Sequence, residues 1–357
     1  MQVVIIGAGI IGATLAYQLG SIGAQVTVID AAGPASGATG RSFGWANASF
    51  YADEAHYRLR RESLHAYRCL AATSGVSDIR WTGCLCWEET GDAFDAQANA
   101  LSALGYDLRE IDRAAFAELE PNVSPPKRAL MFNAEAAIEP VALTQTLLAQ
   151  SNARLMFGCR VNGIVVENGA VRGVRVPGGT LPADRVIVAS GTGSQAILAD
   201  VGVHLPMLDR PGVILKTKPV AAILNHILVA PGQEFRQLPD GTILAPTAAN
   251  HQRDDSDHVA ERLDQSAEIA MERLRNLIPD TALEWASVSL AQRPVPQDGL
   301  PVIGACGPKG LFTSVMHSGI TLAPLAAEIL SKEVLDQSLT NSQVDLIAPY
   351  RPDRFQS

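Results

Sequence analysis

The sequence predicts an α/β protein in which a domain built on a parallel sheet is interrupted by a second domain. Three observations lead to this prediction. Residues 2–30 read as strand, helix and strand, a unit whose two strands pair in parallel. Further α/β stretches at 140–195 and 300–333 are separated by segments of different character. The length of 357 residues is also enough for two domains of ordinary size.

The first elements follow from hydrophobic periodicity. Residues 2–6 and 25–30 are short apolar runs typical of strands buried on both faces, and 10–20 reads as a helix between them. The stretch 31–48 is rich in Gly, Ala and Ser and has no periodicity, and a loop of this length in a compact domain is usually functional or disordered. Helical spacing returns at 54–70.

The remaining elements are predicted from the same patterns. Helices are expected at 141–150, 257–278 and 319–333, and strands at 159–166, 171–176, 184–190 and 311–315. A hairpin is expected at 233–246, turning at Pro239-Asp240-Gly241.

Composition and charge exclude several classes of protein. Hydrophobic residues make up 47% of the chain, so it can bury a full core. A formal charge of −9 and a pI near 5.3 argue against a nucleic-acid partner. A membrane span needs about 18 uninterrupted apolar residues, and the first apolar run lacks the basic flank of a signal peptide. We therefore expect a cytoplasmic protein without a transmembrane segment.

The cysteines are expected to be buried free thiols. Their number, five, is odd, which does not suit a disulfide framework. Cys84 and Cys86 form the only close pair in the sequence, and no second pair completes a zinc site. The sequence therefore predicts no metal site.

A glycine motif follows the first strand and opens the first helix. Gly7 permits a tight turn, Gly9 allows the backbone to approach a pyrophosphate, and Gly12 allows close packing of helix on strand. Asp30 closes the second strand at the distance expected of an acid that binds a ribose hydroxyl, which disfavours the 2′-phosphate of NADP. The motif by itself fits both NAD and FAD.

Four further segments carry a resemblance to a known family. They are SGATGRSFGWANA (36–48), CRVNGIVVENGAVRGVRV (159–176) with VIVASGTGS (186–194), RPVPQDGLPVIG (293–304) and HSGITLAP (317–324). With the glycine motif, they resemble the D-amino acid oxidase superfamily of FAD enzymes, which includes glycine and sarcosine oxidases and D-amino acid dehydrogenases. The resemblance covers nearly the whole chain.

The resemblance implies a fold and a division of the chain. The FAD-binding domain would be Rossmann-type and discontinuous, formed by 1–75, 140–200 and 290–357. The substrate-binding domain would be an inserted α+β unit on a mainly antiparallel sheet, formed by 76–139 and 201–289. The hairpin at 233–246 is expected to form the floor of the substrate pocket.

The glycine motif and the resemblance together imply a set of FAD contacts. These are Gly7, Gly9, Ile10, Ile11, Gly12, Asp30, Ala31, Ser36, Thr39, Arg41, Ser42, Gly44, Trp45, Val161, Ala189, Gly191, Arg293, Gly304, Ser318, Gly319, Ile320 and Thr321. FAD is expected to be non-covalent, because 293–304 contains no cysteine to attach it.

The resemblance also implies an activity. The enzyme would oxidise the amine of a D-, N-alkyl or imino acid by hydride transfer from Cα to flavin N5, and water would hydrolyse the imine. Arg293 would hold the substrate carboxylate, and His317 would lie beside the flavin. The basic stretch 58–61 is expected to be a solvent-exposed helix face and is given no role.

Alternative functions follow from the same resemblance. The chain fits an oxidase or a dehydrogenase, a homo-oligomer, a flavin subunit that passes electrons to a partner in a hetero-oligomeric amino acid or opine dehydrogenase, or a non-catalytic FAD-binding assembly component. A plain NAD dehydrogenase would leave 36–48 and 317–324 unexplained.

Overall fold

Residues 2–30 form the predicted strand–helix–strand unit. In the structure, a computed structural model that describes residues 1–249 and 251–356, this unit comprises β1 (Gln2–Ile6), α1 (Ile10–Ser21) and β2 (Gln25–Asp30). β1 and β2 pair in parallel, with Ile5 opposite Val28. Nearly every side chain of β1 is buried, as expected of a strand covered on both faces.

The remaining helices and strands follow in chain order. The helices are α2 (Glu54–Ser74), α3 (Gly91–Ala103), α4 (Arg113–Leu119), α5 (Pro140–Gln150), α6 (Ser194–Ala199), α7 (Leu263–Leu277), α8 (Gly319–Val334) and α9 (Asn341–Ile347). The strands are β3 (Trp45–Ala46), β4 (Ile79–Arg80), β5 (Cys84–Cys86), β6 (Leu108–Asp112), β7 (Arg128–Phe132), β8 (Ala136–Ile138), β9 (Arg154–Phe157), β10 (Gly163–Glu167), β11 (Ala170–Val176), β12 (Gly179–Pro182), β13 (Arg185–Val188), β14 (Met207–Leu208), β15 (Pro211–Thr217), β16 (Ile227–Ala230), β17 (Gln233–Gln237), β18 (Ile243–Pro246), β19 (Trp285–Gln292), β20 (Val295–Pro296), β21 (Val302–Ala305) and β22 (Leu311–Val315).

A six-stranded sheet carries the first domain. Its order is β21-β22-β13-β1-β2-β9, and every pair is parallel except β21 with β22. The chain moves from β1 to one side through β2 and β9, then crosses to the other side at β13. In open α/β sheets such a reversal leaves a crevice at the carboxyl ends of the strands, where ligands bind.

An eight-stranded sheet is the second large sheet of the protein. Its order is β19-β15-β18-β17-β16-β5-β7-β6, and only the β16–β5 pair is parallel. Helix α7 covers one face, where Met271 and Leu274 share a core with Leu215 and Phe235. The predicted fold class is confirmed: a parallel sheet is joined to a mainly antiparallel one.

Each sheet collects strands from distant parts of the chain. The parallel sheet uses strands from 2–30, 154–188 and 302–315, and the antiparallel sheet uses strands from 84–132 and 211–292. This interleaving suits a discontinuous first domain. The exact boundaries of the two domains stay a prediction.

Two predicted elements are partly wrong. The helix expected at 257–278 begins only at Leu263, because Arg262 before it has an extended backbone, with φ −63° and ψ 146°. The strand expected at 159–166 starts at Gly163, and the residues that extend the parallel sheet are Arg154–Phe157.

Two further expectations concern the thiols and the membrane. Cys84, Cys86 and Cys306 are buried, but Cys69 is exposed and Cys159 is half-buried, so the expectation that all five are buried is wrong. All five thiols are free, as expected. Cys69 lies on the side of α2 that faces solvent. Among the described residues, no helix combines the length and hydropathy needed to span a bilayer.

Candidate active site

A long cavity, which we call the main cleft, runs along the carboxyl ends of the parallel strands. Its volume is about 600 Å³. At one end it is lined by Asp30 and Val161, in the middle by the glycine turn after β1, and at the other end by Met316 and His317. The cleft therefore lies at the crevice that the strand order creates.

The glycine turn is shaped by close backbone contacts. Gly7 has φ +115°, and a Cβ atom there would lie 2.4 Å from the Ala189 carbonyl oxygen. A Cβ on Gly12 would lie 2.0 Å from the Gly7 carbonyl oxygen, so α1 can approach β1 only through glycine. Gly9 faces Thr39, whose Oγ1 accepts a 3.1 Å hydrogen bond from the Ile10 N–H.

Asp30 is held rigidly at the edge of the main cleft. One carboxylate oxygen accepts a 2.8 Å bond from the Ala8 N–H, and the other accepts bonds from the Ala32 and Gly33 N–H groups at 2.8 and 3.0 Å. The side chain thus ties the end of β2 to the glycine turn. Its remaining lone pairs are available to a ribose hydroxyl, the role that the spacing predicts.

The loop at 36–48 is supported from behind by a buried arginine that sequence reasoning did not assign. Arg236 donates from Nε to the Phe43 carbonyl at 2.6 Å and from Nη2 to the Ile138 carbonyl at 2.8 Å. Gly44 has φ +73°, and a Cβ there would lie 2.5 Å from Arg236 Nη2. The hairpin that carries Arg236 therefore braces this loop. No residue of the hairpin lines the main cleft or either of the two neighbouring cavities. The expectation that the hairpin forms the floor of the substrate pocket is therefore wrong.

The first turn of α8 closes the other end of the main cleft. Ser318 precedes the helix and gives it no side-chain cap. Pro324 lies inside the helix and has no N–H to donate to the Ile320 carbonyl. The Tyr67 hydroxyl of α2 donates to that carbonyl instead, and Ser63 Oγ donates to the Thr321 carbonyl at 2.6 Å. Helix α2 thus fixes the turn from outside.

Arg293 lies in a smaller cavity of about 110 Å³, which we call the side cavity and which shares His317 with the main cleft. Its guanidinium is already well bonded. Nη2 donates to Asp254 Oδ2 at 2.9 Å and to the Pro211 carbonyl at 3.1 Å, and Nε donates to the Arg210 carbonyl at 3.3 Å. Burial lowers the Arg293 pKa, while Asp254 acts in the opposite direction.

His317 lies where the two cavities meet. Burial, followed by the positive charge of Arg293, lowers its pKa to about 3; His251, Arg60 and His56 act in the same direction. The imidazole is therefore neutral at pH 7. A neutral ring can donate one hydrogen bond and accept another.

Most of the predicted cofactor residues lie together. Those that line the main cleft are Gly7, Gly9, Ile10, Ile11, Asp30, Ala31, Ser36, Thr39, Ser42, Val161, Ala189, Gly191, Gly319 and Ile320. Those that line the side cavity are Arg41, Ser42, Gly44, Trp45, Arg293, Ser318, Ile320 and Thr321. Gly12 contacts Gly7 inside the turn and does not line the cleft.

Two expectations do not match the structure. Gly304 lies against Arg351 and Pro352 and lines neither the main cleft nor the side cavity. The stretch 58–61 is not wholly exposed, because Arg60 is buried, with 3% of its surface accessible, and lines the side cavity. The other two arginines, Arg58 and Arg61, are exposed as expected. Helical spacing is the signal that could have identified Arg60, because it lies four and seven positions before the buried Leu64 and Tyr67, whereas Arg58 and Arg61 each lie seven positions before an exposed residue.

The residues of the main cleft fit FAD. Helix α1 begins after Gly9, which has no side chain to cap it. The Ile10 N–H donates to Thr39, and the Ile11 and Gly12 N–H groups that follow it are the ones available to a pyrophosphate. Helix α8 also begins uncapped at the opposite end, where it can donate to an electron-rich ring edge. The volume is within the roughly 300–1,000 Å³ of small-molecule sites. Asp30, at the end away from α8, has carboxylate oxygens that can accept a hydrogen bond from a ribose hydroxyl.

Comparison with known proteins agrees with this geometry. The profile of the DAO family, described as FAD dependent oxidoreductase, matches residues 2–333. The chain belongs to this family of FAD-dependent oxidoreductases.

Relatives of similar length are known from several bacteria. The chain is 28% identical to a glycine oxidase of Pseudomonas putida, covering 99% of this chain and 98% of the relative. It is 27% identical to a D-amino acid dehydrogenase of Rhizobium rhizogenes, covering 97% and 99%. The fold is similar to the crystal structure of glycine oxidase from Geobacillus kaustophilus, with a TM-score of 0.86 at 21% identity and coverage of 99% and 98%.

Proposed function

We propose that this protein oxidises the amine of a D-, N-alkyl or imino acid, using non-covalently bound FAD. The observation that carries the proposal is that Arg293, His317 and the uncapped start of α8 lie together where the main cleft adjoins the side cavity. An amino acid carries a carboxylate, an amine and a Cα–H. Arg293 suits the carboxylate, His317 suits the amine, and the start of α8 suits the negative charge that accompanies the hydride. The full-length similarity to a glycine oxidase and a D-amino acid dehydrogenase supports the same class.

Each residue has a distinct task in this proposal. FAD, when bound, supplies the acceptor for a hydride from the substrate Cα. The first N–H groups of α8 stabilise the negative charge that arrives with it. Arg293 pairs with the substrate carboxylate by a charge-assisted hydrogen bond. His317, neutral at pH 7, hydrogen-bonds the amine and adds no positive charge that would repel a protonated substrate.

The positions of the cysteines support non-covalent attachment. Cys306 is buried beside the start of β22, where its N–H donates to the Leu311 carbonyl, and it does not line the main cleft, which lies at the other end of the strands. Cys159 lines the cleft beside Val161, at the end away from α8. Neither thiol lies with the residues expected around the flavin ring.

The test is an anaerobic titration of the FAD-loaded protein. We would record the visible spectrum while adding glycine, sarcosine, D-alanine, D-proline and L-proline in turn. Loss of the oxidised flavin bands with one of these substrates would support the proposal, and the rate of recovery in air would separate an oxidase from a dehydrogenase. A flavin that dithionite reduces and no amino acid reduces would favour a flavin subunit that needs a partner, or a non-catalytic role.

A further inference from the structure

Arg60 is a buried arginine whose hydrogen-bond acceptors, among the described residues, are all uncharged. Nε donates to the Asn47 carbonyl at 3.0 Å and Nη2 to Asn47 Oδ1 at 2.6 Å. Nη1 donates to Ser318 Oγ at 2.6 Å, and Nη2 reaches Thr321 Oγ1 at 3.5 Å. Arg60 therefore joins the loop after β3 to the first turn of α8.

Two other arginines near the site have a carboxylate partner. Arg293 pairs with Asp254 at 2.9 Å, and Arg236 pairs with Glu139 at 2.9 Å. The charge of Arg60 is balanced only at longer range: burial lowers its pKa to about 10, and Glu135 acts in the opposite direction. At pH 7 the guanidinium is thus protonated.

A buried cation that contacts no anion destabilises the protein unless a negative charge, such as that of a bound ligand, compensates it. Removing a charge from water costs several kcal/mol even after relaxation, by general estimates. Arg60 lines the side cavity together with Ser318 and Thr321, two of the expected FAD contacts at the start of α8. Its charge and the positive end of α8 therefore reinforce each other at one place.

We infer that Arg60 supplies the fixed positive charge that favours the reduced, negatively charged form of the bound flavin, and that it holds Asn47 and Ser318 in position around it. The inference rests on the proposed function in requiring bound FAD, but not on the identity of the substrate. It makes Arg60 a positioning residue that also sets the reduction potential.

The test is the midpoint potential of the FAD-loaded protein, measured by equilibration with a reference dye. Arg60→Gln removes the charge and keeps a polar side chain, so the equilibrium constant for two-electron reduction should fall at least tenfold, or about 30 mV. Arg60→Lys keeps the charge and should stay within threefold of wild type. Arg58→Gln, at an exposed position on the same helix, should leave the potential unchanged.

A second variant keeps the test decisive if Arg60→Gln does not fold or retain FAD. Asn47→Asp is nearly isosteric and places a carboxylate at the atom now 2.6 Å from Nη2. It should also lower the equilibrium constant at least tenfold, because the carboxylate neutralises Arg60.

The inference is overturned by an unchanged potential in FAD-loaded Arg60→Gln or Asn47→Asp. It is also overturned if Arg60→Lys falls as far as Arg60→Gln, since hydrogen-bond geometry rather than charge would then explain the shift. Failure of the proposed function looks different: wild-type protein would hold FAD with a normal potential and no amino acid would reduce it.

Discussion

Arg293 and Asp254 form an ion pair in which Nη2 and Oδ2 lie 2.9 Å apart, with only 11% and 15% of the two side chains exposed. The same nitrogen donates to the Asp254 carbonyl at 3.0 Å. The cation proposed to bind the substrate carboxylate thus already has a carboxylate. A substrate must compete with Asp254 or share the guanidinium with it.

Asp254→Asn should therefore strengthen substrate binding. The variant keeps an acceptor for Arg293 but removes the competing charge, so KM for the amino acid identified by titration should fall roughly threefold to thirtyfold, as charge-assisted bonds predict. Arg293→Ala should raise KM roughly tenfold to hundredfold with FAD content unchanged. Steady-state kinetics on both variants measures this. A higher KM for Asp254→Asn would mean that Asp254 only positions Arg293.

Gly12→Ala should weaken both folding and cofactor binding. The added Cβ would lie 2.0 Å from the Gly7 carbonyl oxygen, so α1 must move away from the turn. Overpacking of this kind costs about 1–3 kcal/mol. Urea unfolding and the ratio of bound FAD to protein give the two readouts. Gly33→Ala is the control, because a Cβ there meets nothing within 4 Å; equal behaviour of the two variants would contradict the close-packing argument.

Local spacing explains which site residues the sequence could predict. Gly7, Gly9, Gly12 and Asp30 belong to one strand–helix–strand unit, so their positions relative to one another follow from its geometry. The parallel-sheet domain follows for the same reason, since buried apolar runs and helical periodicity are local features; the antiparallel sheet of the second domain is implied by the family resemblance.

The missed features depend on contacts between distant segments. Arg60 and Ser318 are 258 positions apart. Helical spacing places Arg60 on the same face as Leu64 and Tyr67, but nothing local shows which groups its buried guanidinium contacts. Asp254 lies in a polar segment that reads as a helix start, and nothing local pairs it with Arg293. Gly304 is a case in which the family resemblance misled. Its segment resembles that of the family, but its φ of +142° belongs to a position in strand β21 that packs against Arg351 and not to a cofactor contact.

His317 should make the protein less stable in mild acid. Its pKa is about 3 when folded and about 6.5 when unfolded, so between these values the unfolded state binds more protons and stability falls as pH falls. From pH 7 to pH 5 this one residue should cost about 2 kcal/mol.

His317→Asn tests that expectation. Urea unfolding with fixed excess FAD should show a smaller loss of stability between pH 7 and pH 5 than in wild type. His204→Asn is the control, because that side chain is exposed and its replacement should keep the wild-type pH dependence. An identical pH dependence in His317→Asn would show that the ring is not held neutral by burial.

The bond from Tyr67 to the Ile320 carbonyl should be coupled to Pro324. That carbonyl has no helical donor, because the residue four positions on is proline. Tyr67→Phe leaves it buried and unpaired, which should cost about 1–3 kcal/mol. Pro324→Ala restores an N–H at the right place, so Tyr67→Phe should cost at least about 0.5 kcal/mol less in that background. A double-mutant cycle by urea unfolding, with Tyr17→Phe as an uncoupled control, measures the difference. Strict additivity would mean that the hydroxyl is not replacing the missing helical bond, and that α2 does not fix the start of α8 in this way.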